Sequence, residues 1–267
     1  MRWPIILLLP FLLYCGQQSK PTETTESTSN SITDTTDEAN TTNSNADIGQ
    51  YEIDSLFSHN KDSLSYNYED IRAAIKIGYL FSKQSKDAIL RYYPNDSTAH
   101  IIILRQSGTT WDTIFSERIS PARLGPFSDF ITVKDFNGDH IPDLKVVRDF
   151  WEIHFGERSD LWLYRNNHFT KVKHFDQIVS AEYQEKTGLI FSYQSAGCAD
   201  MAMQFGTYRI VADTVQQIDF MYCGCCDPND SCEIARHGKQ SFKVPYKAAY
   251  KYVPALYQQA VKAKLEM

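Results

Sequence analysis

The densest run of oxygen-bearing side chains is Asp135-Phe136-Asn137-Gly138-Asp139-His140-Ile141-Pro142-Asp143-Leu144. Side-chain oxygens recur at its first, third, fifth and ninth positions, from Asp135, Asn137, Asp139 and Asp143. The backbone carbonyl of Ile141 can serve at the seventh. Calcium is a hard cation that gathers six to eight oxygens, and this spacing wraps a short loop around one. Three carboxylates drawn together without a cation repel one another, so the arrangement is costly unless an ion or a base is present. A structural calcium ion held by these five residues is therefore expected. The competing expectation is an Asx-rich turn with Asn137-Gly138 at its tip and no ion, and a third is another cation. In each case the oxygens are spent on holding the loop, and no open position remains for a substrate.

The cysteines are the second cluster. Setting Cys15 aside leaves Cys198, Cys223, Cys225, Cys226 and Cys232, an odd number. One thiol must then be free, paired between molecules or oxidised. Cys223 to Cys232 is a compact turn that a bridge could staple. The expected pairing is Cys198–Cys223 and Cys226–Cys232, because adjacent cysteines bond elsewhere rather than to each other. Zinc is the rival, bound by four clustered thiols or by three with His237. The run lacks two separated CxxC knuckles, and an exported chain argues against reduced thiols.

For catalysis a nucleophile needs a base and an orienting group. Cys198 and Asp200 lie close, Ser195 precedes them, and His140, His154, His168 and His174 are the available bases. No spacing assembles them. The chain has no G-x-S-x-G elbow, no H-E-x-x-H pair and no phosphate-cradling glycine loop. Glu152 and Glu157 would serve a glycosidase only at a separation of roughly 5–9 Å. Solvated side chains are the simpler account of that pair.

The elements that position these groups are mostly strands. Ala73–Phe81, His100–Leu104, Thr110–Ile119 and Asp129–Val133 precede the aspartate run. Leu144–Phe150, Asp160–Tyr164, His168–Lys173, Gln177–Tyr183, Leu189–Gln194, Gly206–Val211 and Thr214–Tyr222 follow it. Turn residues separate them: Gln106-Ser107-Gly108-Thr109, Arg165-Asn166-Asn167, Lys186-Thr187-Gly188 and Ala212-Asp213. Connections this short join antiparallel neighbours and cannot hold helical crossovers. The expected fold is mainly β, an antiparallel meander closing into a sandwich, a barrel or an irregular propeller. A helix over about 254–265 should close the chain, opened by Pro254 and buried along Leu256, Ala260, Val261 and Leu265.

The N-terminus carries an address. Met1-Arg2-Trp3 supplies one positive charge, and the segment from Ile5 to Tyr14 is apolar apart from Pro10 before Cys15-Gly16. It is too short to cross a bilayer and reads as an export signal. It resembles a bacterial lipoprotein signal, with Leu12 in place and Cys15 as the residue that would carry acyl chains. The resemblance implies a membrane anchor at Cys15 and a place in the cell envelope, at the outer membrane. Residues 16–50 have no aromatic residue, six acids and one base. They cannot bury enough apolar surface to offset ordering, so a disordered tether is expected. A single globular domain over 51–267 follows.

The full chain has 267 residues, 27 basic and 33 acidic, for a formal charge of −6. Removing Arg2 and the tether leaves −2. Such a domain lacks the excess of cations that nucleic acid requires. The C-terminal bases Arg236, Lys239, Lys243, Lys247, Lys251, Lys262 and Lys264 form a local basic stretch. It is read first as a solvated face, and otherwise as a surface for anionic lipid, phosphate polymer or acidic protein.

The aspartate run resembles the calcium loops of integrin-type repeats and the DxNGDGxxDL segments of exported bacterial domains, with His140 standing where glycine is usual. The wider order also carries a resemblance. It runs from the loop through Leu163-Tyr164 and Phe169 to Ser195-Ala196-Gly197 and then Gly206-x-Tyr208. Over about residues 98–222 it is similar to exported bacterial β-domains that include periplasmic immunity proteins resembling lysozyme inhibitors. That implies a loop of Ser195, Ala196, Gly197 and Asp200 entering a muramidase cleft, with Cys198 making it rigid through a disulfide. The functional expectation is a non-catalytic envelope lipoprotein domain binding a protein or glycan partner. A muramidase inhibitor or immunity protein and an envelope hydrolase are the alternatives.

Overall fold

The computed structural model describes residues 44–120, 122, 130–150, 156–196, 202–224 and 231–265. Cys15, Gly197, Cys198, Asp200, Cys225, Cys226, Glu152 and His154 lie outside these residues, as do positions 1–43. Among the described residues, fifteen strands form three antiparallel sheets, and none of these sheets closes into a barrel. The mainly β, antiparallel expectation holds.

The first sheet comprises β1 (Tyr66–Glu69), β2 (Ala73–Gly78), β3 (Asp87–Asn95), β4 (Thr98–Ser107) and β5 (Thr110–Ile119), in chain order. The second comprises β6 (Ile131–Lys134), β7 (Asp143–Phe150), β8 (Glu157–Arg165) and β9 (His168–Lys171). The third comprises β10 (Glu182–Gln184), β11 (Leu189–Ala196), β12 (Ala202–Val211), β13 (Thr214–Cys223), β14 (Ser231–Arg236) and β15 (Phe242–Pro245). Every strand pairs with its sequence neighbour within its sheet, across connections of two to eight residues, too short for helical crossovers.

Four apolar clusters join these layers in series. Helix α1 (Ser44–Asn60) places Ile53 and Phe57 against Ile75, Ile77 and Leu90 of the first sheet. The opposite face of that sheet, through Ile89, Ile101 and Ile103, meets Leu144, Val146, Trp162 and Tyr164 of the second. Leu161 and Leu163 on the second sheet's other face meet Tyr183, Ile190 and Tyr208 of the third. Helices α2 (Tyr246–Ala249) and α3 (Ala255–Leu265), with a 3₁₀ turn at Tyr250–Tyr252, cover one end of the third sheet's outer face. Side chains alternate across a strand, so each sheet can serve two cores at once.

That double burial explains what the sequence hid. In β3 the residues Asp87 to Tyr93 are all buried. A strand covered on both faces reads as a continuous apolar run with no alternation, and β3 was absent from the sequence reading. Helix α1 was also unexpected, and it takes up Ser44–Gln50 from the stretch assigned to the tether. Gly49 lies 3.8 Å, from the position of a Cβ, to the carbonyl oxygen of Tyr93. The helix therefore sits close on the first sheet there.

The hairpin turns formed where their residues indicated. Asn166 and Asn167 adopt φ of 51° and 62° between the paired Arg165 and His168. Ala212 and Asp213 do the same at 47° and 60° between Val211 and Thr214. Two left-handed residues match the twist of the flanking strands. The strand expected over Gln177–Tyr183 is instead a 3₁₀ turn at Phe175–Gln177 followed by the short β10. Left-handed His174 and Ser180, at φ of 65° and 50°, interrupt extension. Phe175 and Ile178 are nonetheless wholly buried, so the apolar pattern there records core plugs, not a strand. The last helix spans the expected range, but its buried stripe differs. Tyr257 and Val261, spaced by four, face the sheet together with Val253 just before the helix, whereas Leu256 and Ala260 are exposed.

Candidate functional site

The aspartate run connects β6 to β7, with Lys134 paired to Asp143 at its neck. Phe136 enters the core between the second and third sheets. Ile141 packs against the core between the first and second. The loop thus straddles both interfaces of the central sheet. Its path requires left-handed residues at Gly138, φ 84°, and at His140, φ 64°. A Cβ on Gly138 would stand 2.7 Å from the Tyr183 hydroxyl, so glycine is needed there for space as well as for conformation. His140 holds the left-handed position at the cost that any non-glycine residue incurs.

The loop's oxygens are organised by its own backbone. Asp135 Oδ1 accepts from the N–H groups of Asn137 at 2.9 Å and Gly138 at 2.6 Å. Its Oδ2 accepts from His140 N at 2.9 Å. Asn137 Oδ1 accepts from Asp139 N at 2.8 Å, and Asp139 Oδ1 from Ile141 N at 2.9 Å. Asp139 Oδ2 accepts from Asn137 Nδ2 at 3.0 Å and lies 3.7 Å from Arg165 Nε.

Asp143 differs in being fully buried. Its Oδ2 accepts from Phe136 N at 2.9 Å and its Oδ1 from Tyr164 N at 3.0 Å. One carboxylate therefore ties the loop, β7 and β8 together. Burial pushes the Asp143 carboxyl up to about 7, opposed by those two N–H groups and reinforced by the charges of Asp139 and Asp135.

The donor set suits a hard cation in kind: three carboxylates, an amide oxygen and a backbone carbonyl. Most of these oxygens accept one N–H and keep a second lone pair, while Asp135 Oδ1 accepts two. The geometry is that of nested Asx turns. Among the described residues no three His, Cys, Asp or Glu side chains converge as a metal requires. The five residues named from the sequence thus lie together here, with the side-chain oxygens of Asp135, Asn137, Asp139 and Asp143 turned to N–H donors.

The cysteine pairing needs correction. Cys223 is bonded to Cys232, so Cys198–Cys223 and Cys226–Cys232 are not the bridges. The reason is register. β13 and β14 place Cys223 directly opposite Cys232, with their Cα atoms 4.2 Å apart. Both are wholly buried beneath the C-terminal helices, and neither remains a thiolate for zinc. His237, the proposed fourth ligand, is exposed and contacts Gln216.

Ser195 and Ala196 lie at the end of β11, paired with Met203 and Ala202 of β12. They sit at the neck of the hairpin whose tip would carry the inhibitor-type loop. Among the proposed bases, the His140 side chain is exposed on the aspartate loop, His168 begins β9 and His174 contacts Gln177. They are not brought together. Glu157 is paired with Lys145.

A contact the sequence concealed joins three neighbouring strands of the first sheet. Tyr92 Oη lies 2.6 Å from His100 Nδ1, and His100 Nε2 lies 3.0 Å from Ser116 Oγ. Desolvation, aided by the charge of Arg118, lowers the His100 pKa and disfavours the charged ring. Burial raises that of Tyr92, whose hydroxyl also lies 3.5 Å from Gln50 Oε1. Only cross-strand register, Tyr92 opposite His100, reveals the group.

No family model and no curated protein matches the sequence. A solved structure described as that of a Xanthomonas Type IV secretion system related protein is 14% identical, with a TM-score of 0.41. The alignment covers 68% of this chain and 94% of that one. Among the described residues no helix is long and apolar enough to cross a membrane.

Proposed function

We propose that this chain is a non-catalytic domain of the bacterial cell envelope, anchored by acyl chains at Cys15, that binds a protein or glycan partner. A calcium ion in the 135–143 loop stabilises it. The observation carrying this reading is the placement of that loop. Asp143 is buried and fixed to two strands, and Phe136 and Ile141 reach into the two cores of the central sheet. A loop so tied acts on the scaffold rather than on a substrate. Asp135, Asn137, Asp139, Asp143 and the Ile141 carbonyl would hold the ion. The ion would supply positive charge to the crowded carboxylates, and its role would be structural.

The test is calorimetric titration of the full chain with calcium, followed by melting curves with and without the ion. The reading expects a dissociation constant in the extracellular range, about 10⁻⁴–10⁻³ M, and a higher melting temperature in calcium. A panel of muramidases assayed with the full chain then addresses the inhibitor alternative. Inhibition lost on replacing Ser195–Asp200 would support it, and no inhibition of any enzyme would discard it.

A further inference from the structure

The outer face of the third sheet holds a feature that the loop does not explain. Three cross-strand rows run over this face. The row Met203–Cys223–Cys232 lies under the C-terminal helices, bonded through its disulfide. The next row, Phe205–Met221–Ile234, lies at the edge of that cover. The third row, Phe191–Thr207–Asp219–Arg236, emerges from it. Here the chain crosses at Tyr252–Pro254 and encloses a half-open groove of about 290 Å³.

The groove has an apolar floor and a charged mouth. Phe205, Met221 and Ile234 form the floor, all nearly fully buried. Arg236, Lys251 and Asp219 stand at the rim and are exposed. Tyr252 holds both cations, with the Arg236 guanidinium 5.6 Å and the Lys251 ammonium 5.1 Å from its ring centroid. Asp219 lies 3.6 Å from Arg236 and offsets one of the two charges. The mouth therefore keeps a net positive charge, fixed over an apolar slot.

We propose that this groove is a binding site for a single-chain anionic amphiphile, a molecule with an apolar tail and one carboxylate head of the fatty-acid type. Concave sites with apolar walls and a few placed polar groups are the usual form of small-molecule sites. The volume is roughly twice that of the 150 Å³ engineered cavity that admits benzene, which corresponds to a tail of about ten carbons. The tail would lie over Met221 and Ile234 and the head beside Lys251 and Arg236. Charge complementarity selects the sign of the head, and the apolar side chains of Leu189, Phe191, Phe205, Met221 and Ile234 favour an acyl tail, with Thr207 also among the lining residues. The site shares no residue with the aspartate loop.

The experiment is calorimetric titration of the purified, detergent-free full chain with decanoate, decyltrimethylammonium and hexanoate, in calcium and in excess chelator. Decanoate should bind at least about tenfold tighter than decyltrimethylammonium, and hexanoate should bind more weakly than decanoate. Lys251→Glu and Arg236→Gln should each weaken decanoate by about tenfold, with the melting temperature nearly unchanged because both residues are exposed. Leu189→Trp, at the groove wall, should abolish binding of both tails. Chelator should leave these affinities unchanged, which separates this site from the calcium reading. Equal affinity for the two head groups, or no binding of decanoate, would overturn the proposal.

Discussion

Two regions of this molecule are fastened in different ways. At the central sheet, the 135–143 loop is held by a buried carboxylate that accepts N–H donors from its own loop and from β8. At the third sheet, the paired ends of β13 and β14 are joined by a covalent bridge under a helical cap. The first fastening is electrostatic and depends on what surrounds Asp143. The second is set once the bond forms and depends on redox conditions. The comparison teaches that the loop at 135–143 is held by hydrogen bonds to one buried carboxylate, whereas the C-terminal end is held by a bond that reductant can break.

The largest expected effect comes from Asp143→Ala, which strands the buried N–H groups of Phe136 and Tyr164. Each unsatisfied donor costs about 1–3 kcal/mol, so chemical denaturation should report a loss of about 3–4 kcal/mol. A loss no greater than that of an exposed Asp112→Ala control would show that the carboxylate is not a fastening. Replacing Cys223 and Cys232 together by serine comes next, at about 2–3 kcal/mol for so short a loop. This double variant should make stability insensitive to dithiothreitol. Gly138→Ala follows, at about 1–2 kcal/mol, because it meets both a left-handed backbone and the Tyr183 hydroxyl. Asn at the same position, which tolerates the conformation but not the contact, should be no better. Arg165→Ala should cost less than about 1 kcal/mol, since its pairs with Asp139 and Asp213 are solvent-exposed.

How much of this was legible follows from which residues face water. Hairpins announced themselves through Asn166-Asn167 and Ala212-Asp213, since turn chemistry is local. The aspartate loop was legible for the same reason, down to the residue where glycine was missed: His140 does take a left-handed conformation. β3 was not legible, because Ile89 and Leu90 bury on opposite faces and erase the period. The Cys223–Cys232 bond was not legible either. It depends on β14, a strand absent from the sequence reading, and on its register with β13. The contacts joining Tyr92, His100 and Ser116 and the groove beside Tyr252 likewise exist only once non-local pairing is fixed.

The central claim is that the loop between β6 and β7 is a calcium-dependent fastening, and differential scanning calorimetry of the full chain tests it most directly. At ion concentrations about ten times the dissociation constant, mass action predicts about 1.4 kcal/mol of added stability and a melting temperature higher by a few degrees. The shift should vanish in the Asp135→Ala and Asp139→Ala double variant and be absent with magnesium. An unchanged melting curve at 10 mM calcium, a concentration taken from the weak end of extracellular sites at roughly ten times their constant, would contradict it.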